Sequence, residues 1–83
     1  MGGGNPETRI EYEIAERSDV QLEIYNILGQ KVRTLVNGVQ SAGAYHATWD
    51  GRDRQGKPAA SGIYVYRLKA GEFVVVKKLV LNR

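Results

Sequence analysis

The sequence contains no cysteine. Disulfide bonds, zinc–thiolate sites and thiol catalysis are therefore excluded. No apolar run approaches the ~20 residues of a membrane helix, and the N-terminus lacks the charged-then-apolar pattern of a signal peptide, so we predict no membrane insertion. His46 is the single histidine. It has no serine or paired carboxylate nearby in the sequence, so we predict an exposed surface residue and a chain that is not an enzyme.

An excess of one charge is also largely absent. Lysine and arginine number 12 against 9 aspartates and glutamates, which gives a formal net charge of +3. The basic residues are spread along the chain, whereas nucleic-acid-binding proteins usually concentrate them on one face with aromatic residues. We therefore predict no nucleic-acid partner. We also predict no cofactor and no catalytic residue, because no group of reactive side chains recurs at a suitable spacing.

The length of 83 residues suits one domain with one core and leaves little room for a deep catalytic pocket. Residues 1–4, Met-Gly-Gly-Gly, resemble a leader added for expression and are excluded from the predicted fold. Residues 5–83 are predicted to form a single domain.

Short alternating segments separated by turn residues predict an all-β fold, and helical periodicity is almost absent. The predicted strands are 8–14, 20–27, 31–36, 44–50, 63–69 and 73–81. Gly29 is expected in a tight turn, and the odd spacing of Val32 and Leu35 predicts a β-bulge, with a short helical turn over 32–36 as the alternative. Gly38 and Gly43 are expected to bracket a loop. These segments together predict an immunoglobulin-like β-sandwich of six to seven antiparallel strands.

The last two predicted strands carry apolar residues on both faces. Ile63 and Val65 alternate with Tyr64, Tyr66 and Leu68, and 73–76 is entirely apolar. Such strands are typically central in a sheet or covered on the second face. We expect the two tyrosines and Leu68 to face the core, because Arg67 then points outward.

Several segments carry a family resemblance in a fixed order. The first part comprises Asn5-Pro6, the alternation Ile10-x-Tyr12-x-Ile14, and the hairpin 20–32. The most specific part, which we call the signature segment (residues 49–68), contains Trp49, Asp50, Gly51, Asp53, Gly56, Ser61, Gly62, Tyr64 and Tyr66. The closing part contains Phe73, Lys77, Lys78, Leu79 and Leu81. Together these segments resemble the FlgD-type immunoglobulin-like domain of flagellar hook-capping proteins, a module that also closes many secreted bacterial proteins as a C-terminal sorting domain, including type IX secretion tails.

The resemblance implies a non-catalytic C-terminal module of a larger exported bacterial protein. Its role would be secretion sorting, cell-surface attachment or assembly, at an extracellular or cell-surface location. The implied partner is a protein: a secretion or cell-envelope component, or another domain of the parent. The chain departs from many sorting tails at Pro6-Glu7-Thr8, because those tails often continue with an aromatic residue and a second Asn-Pro.

Two further hypotheses concern the signature segment. Asp50 and Asp53 resemble part of a calcium loop, but Arg52 and Arg54 occupy positions where ligands would be needed, and no bidentate glutamate follows. Turn-capping by the two aspartates is the structural alternative.

The aromatic residues Tyr45, Trp49, Tyr64 and Tyr66 offer a second alternative: a glycan-binding accessory module of a secreted glycoside hydrolase, if they form an exposed platform and not the core.

Lys77 and Lys78 interrupt the final apolar strand and form the predicted partner surface. Strict alternation places one of the two on the core-facing side of the sheet. A bulge, or extension of the aliphatic stem toward the rim, would resolve this conflict. Charges at these positions also discourage edge-to-edge pairing of sheets.

Overall fold

A computed structural model describes residues 7–82. Residues 1–4 and the Asn5-Pro6 motif lie outside this range. The described residues form six strands and no helix: β1 (Thr8–Ile14), β2 (Ser18–Asn26), β3 (Lys31–Gln40), β4 (Gly43–Trp49), β5 (Gly62–Ala70) and β6 (Phe73–Leu81). Within 7–82, accordingly, no helix is long and apolar enough to cross a membrane.

The strands form two antiparallel sheets. One contains β1 and β4, and the other has the order β3-β2-β5-β6. The predicted immunoglobulin-like sandwich of six to seven antiparallel strands is confirmed. Because β1 pairs with β4 across the chain, its register places Thr8 opposite Trp49, which brings the start of the fold to the signature segment.

The core lies between the inner faces of the two sheets. Alternation along β1 and β2 places every second side chain inward, and the contributing residues on the other strands follow the same period. Val20, Leu22 and Ile24 are fully buried. Burial of each such side chain contributes about 1.5–3 kcal/mol. The remaining core residues are Ile10, Tyr12, Ile14, Trp49, Tyr64, Leu68, Leu79 and Leu81.

The hairpin of β2 and β3 combines a tight turn with bulges. Gly29 has φ 81°, a left-handed conformation that glycine adopts without steric cost. The predicted irregularity is confirmed as register shifts between Leu22 and Glu23 and between Ile24 and Tyr25, and the helical alternative for 32–36 is wrong. The loop predicted from residue 38 is also wrong, because β3 continues to residue 40. Gly38 pairs with Val20, since β2 is long enough to supply a backbone partner there.

The last two strands were predicted to be central in the sheet or covered on the second face. This prediction is correct for β5 and wrong for β6. β5 lies between β2 and β6, whereas β6 is the edge strand. The second face of this part of the sheet is not covered by any of the residues 7–82, and Val76 and Val80 are 59% and 55% exposed there. Apolar residues on both faces therefore indicate an exposed surface here and not a buried strand.

Candidate interaction surface

Trp49 and Tyr64 anchor the signature segment in the core. Trp49 is fully buried, and its ring lies edge-on to that of Tyr64 at 5.1 Å between centroids. The Trp49 Nε1–H donates to the carbonyl of Arg52 at 2.9 Å. The Tyr64 hydroxyl donates to the carbonyl of Ala60 at 2.6 Å. Two buried aromatic polar groups are thereby satisfied by the backbone of the turn that they hold in place.

Asp50 links this turn to the neighbouring strand β3. Its Oδ1 accepts from the backbone N–H of Arg52 at 3.0 Å and from Nη1 of Arg33 at 2.8 Å. Arg33 also donates to the carbonyl of Arg52 at 3.2 Å. Burial acts to raise the pKa of Asp50, but the hydrogen bonds from Arg52 and Arg33 outweigh it and lower that pKa below its ordinary value. Gly51 has φ 75°, which permits the sharp bend after Asp50.

Asp53 organises the second half of the turn. Its Oδ1 accepts from the backbone N–H groups of Gln55 at 2.8 Å and Lys57 at 3.0 Å. Gly56, at φ 84°, supplies the left-handed residue that closes this turn. The predicted turn-capping is therefore observed for both Asp50 and Asp53, and among residues 7–82 no cluster of three or more acidic or histidine side chains could hold a metal. Their positions are explained without calcium.

The tyrosines of β5 face inward as expected. Tyr64 and Leu68 are buried, Tyr66 is half-buried against the core, and Ile63 on the opposite face is 48% exposed. At the entry to β5, Ser61 is exposed and Gly62 has φ 149°. An exposed aromatic platform made from Trp49 and Tyr64 is consequently absent.

His46 is exposed on β4, as predicted, opposite Glu11 of β1. A shallow depression of ≈ 490 Å³ adjoins it and is lined by Tyr45 and the charged residues of β1. No serine, threonine or cysteine lines this depression. Among the residues that line this depression, His46 therefore has no serine, threonine or cysteine that it could activate as a base.

An exposed apolar surface lies on the side of β5 and β6 that faces away from the core. We call it the outer strip; it consists of Ile63, Val74, Val76 and Val80, which are 44–59% exposed. Ile63 lies directly opposite Val80, whereas Phe73, which is 60% exposed at the start of β6, lies opposite Ala70 on the other face of the sheet. Lys78 lies between Val76 and Val80, and Arg67 lies opposite Val76, so charged groups alternate with the strip. Exposed apolar residues beside polar groups are typical of protein-interaction sites.

Lys77 and Lys78 lie in the middle of the same edge strand and are both exposed. The register between β5 and β6 is continuous, with Tyr66 opposite Lys77 and Val65 opposite Lys78, so the predicted bulge is absent. Lys77 is on the core-facing side, but the two-stranded sheet does not cover it. Lys78 is on the side of the outer strip. Neither lysine forms an ion pair with any residue of the described range.

Two features of these sites could not be predicted from the sequence. Arg33 gives no signal, because its partner Asp50 is 17 residues away in the chain. The outer strip does give a signal, namely apolar residues on both faces of the last strand, but the pattern alone is equally typical of burial. Only the strand order distinguishes the two cases.

Comparison with known proteins identifies a family match and two solved structures with a similar fold. The sequence matches the family described as the FlgD Ig-like domain over residues 2–72. The FlgD structure from P. aeruginosa has a TM-score of 0.69 at 24% identity and covers 90% of this chain and 57% of that chain. FlgD from Xanthomonas campestris, described in terms of hook capping essential for flagellar assembly, has a TM-score of 0.70 at 23% identity and covers 94% and 57%.

At these identities the two structures demonstrate a shared fold. The alignments span 57% of the length of each FlgD chain. A search of curated proteins gave no match. The family match covers most of the sequence, and the strand arrangement agrees with it. The chain therefore belongs to the FlgD Ig-like domain family.

Proposed function

We propose that this chain is a non-catalytic protein-interaction module of a larger exported bacterial protein, and that it serves assembly at the cell surface or outside the cell. Secretion sorting and cell-surface attachment are the other roles that the family resemblance implies. The family match supports the module assignment. The assembly role is supported by the X. campestris relative, whose description concerns hook capping in flagellar assembly.

The observation that carries the proposal is the outer strip. Ile63, Val76 and Val80 expose about half of their surface on the outer face of the sheet. Leaving these side chains in water forgoes roughly 1 kcal/mol or more each, which burial against a partner would recover. Such a surface favours contact with another protein or with another domain of the parent.

The glycan-binding alternative lacks a corresponding observation. Trp49 is fully buried and Tyr64 is 7% exposed, so neither can stack on a sugar ring. Tyr45 and Tyr66 are partly buried against the core. The proposed partner is therefore a protein.

Deletion of residues 7–82 from the natural parent protein tests this function. We expect the parent to be synthesised in normal amounts but to be lost from its assembled or surface-attached form, as measured by immunoblotting of cytoplasmic, surface and medium fractions. The point variant Val76→Asp in the parent should reproduce the loss, whereas His46→Ala, on the other sheet, should not. Normal assembly of the deletion variant would contradict the proposal.

A further inference from the structure

β6 presents an open edge along its whole length. The strand lies at the end of the four-stranded sheet, and within residues 7–82 it pairs with β5 alone. Its register with β5 runs without interruption from Phe73, opposite Ala70, to Leu81, opposite Gly62. An extended edge without a bulge or proline offers a regular row of backbone donors and acceptors, which another strand can use.

Side chains on both faces of β6 restrict which strand can be added. On the outer face Lys78 lies between Val76 and Val80, since these residues alternate along the strand. On the inner face Lys77 lies between Val75 and Leu79. Both lysines are exposed and lack ion-pair partners within the described residues. An added strand would therefore meet one cation on each face at the centre of β6.

The two lysines disfavour a second copy of this chain as the added strand. Lys77 is the middle residue of Phe73–Leu81. Full-length antiparallel pairing of β6 with itself would place Lys77 opposite Lys77, and a shift by one residue would place Lys77 opposite Lys78. Like charges directly opposite each other destabilise a strand pair.

We propose that the β6 edge binds an extended segment of a partner protein that carries two adjacent carboxylates flanked by apolar residues. Adjacent residues of a strand point to opposite faces, so one carboxylate would pair with Lys77 and the other with Lys78. Apolar residues two positions to either side of the outer carboxylate would contact Val76 and Val80. This inference rests on the proposed protein-interaction function and specifies the chemistry of its partner.

The other sheet edges, β1, β3 and β4, do not offer the same surface, and β4 carries no lysine or arginine. β1 carries Glu11 and Glu13 on its outer face, which would repel an acidic segment. β3 has two register irregularities against β2, which interrupt the regular spacing of an edge. Charge and regularity together select β6 for an acidic strand.

A designed peptide tests the proposal on the 83-residue chain itself. The peptide Thr-Val-Thr-Glu-Glu-Val-Thr-Val-Thr has the nine-residue length of β6 and, when antiparallel to it, places its two glutamates opposite Lys78 and Lys77. We expect fluorescence anisotropy to detect binding that is about tenfold tighter than that of the same peptide with Lys-Lys in place of Glu-Glu. The variant Lys77→Glu/Lys78→Glu should reverse this preference. Both lysines are exposed, so the variant should fold, and its thermal unfolding midpoint verifies this.

Two controls separate strand addition from general charge attraction. The acidic peptide with every second backbone nitrogen methylated keeps its charges but loses donors, and it should no longer bind. Amide NMR shifts caused by the unmodified peptide should follow Val74–Val80 and leave β1 and β4 unchanged. The proposal would be overturned by equal binding of the methylated peptide, by shifts at another edge, or by failure of the charge-reversed variant to change preference. It would also be overturned by a wild-type dimer that pairs through β6.

Failure of this test differs from failure of the proposed function. If the acidic peptide does not bind while deletion of the domain still abolishes assembly of the parent, the β6 inference is wrong and the module function stands. If the parent assembles without the domain, the proposed function is wrong.

Discussion

At the scale of single residues, a few polar side chains determine the shape of the signature segment. Asp50 joins the turn to Arg33 on β3, and Asp53 caps the part that follows. These carboxylates satisfy backbone and guanidinium donors in a segment that has little regular secondary structure. Their chemistry resembles that of a cation-binding loop because both tasks use carboxylate oxygens. The hydrogen bonds assign the Oδ1 atom of each carboxylate to the protein's own donors.

Replacement of Asp53 tests the structural role against the calcium role. Asp53→Ala removes the acceptor for Gln55 N–H and Lys57 N–H, so we expect a loss of about 1–2 kcal/mol in the free energy of unfolding. Asp53→Asn retains an oxygen acceptor and should stay within about 0.5 kcal/mol of the wild type. Urea unfolding measures the free energy of unfolding of both variants. Millimolar calcium should leave the wild-type midpoint unchanged; a calcium-dependent increase that Asp53→Asn abolishes would favour a metal site instead.

At the scale of elements, the β2–β3 hairpin contains a polar cluster centred on Glu23. Lys31 Nζ lies 2.8 Å from one carboxylate oxygen, and the Tyr25 hydroxyl donates to the other at 2.8 Å. The hydrogen bond from Lys31 holds the pKa of Glu23 below its ordinary value of 4.5, while burial opposes this effect. Burial and the nearby Glu23 carboxylate together raise the pKa of Tyr25. The cluster therefore favours an ionised Glu23 in the folded state.

This cluster predicts a pH-dependent contribution to stability. Because the folded-state pKa of Glu23 is lower than its unfolded value, the contribution is fully present above pH 4.5 and is lost as the pH falls through the folded-state pKa. The difference in unfolding free energy between wild type and Glu23→Gln should therefore be constant near neutral pH and shrink in acid. In a Lys31→Gln background the acid-sensitive part should decrease. The same pH dependence in both backgrounds would show that Lys31 is not its cause.

The strands themselves are largely predictable from alternation, but their extent and order are not. Ile10, Tyr12, Val20 and Leu22 lie in the core because their period of two matches one buried face. Gly38 has a weak strand preference, yet it pairs with Val20 because β2 reaches that far. The order of strands is set by non-local pairing, which local patterns do not encode. The edge position of β6 and the exposure of its outer strip therefore could not be predicted from the sequence.

At the scale of the whole molecule, the two sheets are unequal. The sheet of β1 and β4 contains two strands only, and such a pair is marginally stable in water on its own. It persists because Ile10 and Tyr12 pack against the larger sheet. Trp49 ends β4 and contacts Tyr64 of β5, so it connects the small sheet to the large one through the signature segment.

Trp49→Phe should consequently weaken the entire fold. The substitution leaves a cavity in a fully buried site and leaves the Arg52 carbonyl without its indole donor. We expect a loss of roughly 2–3 kcal/mol, a large share of the about 4–12 kcal/mol typical for a domain of this size. Native-state hydrogen exchange should show that amides of β1, β2 and β5 lose protection together, because the sheets depend on one core. Loss of protection confined to β1 and β4 would instead show that the small sheet opens independently and that Trp49 stabilises it alone.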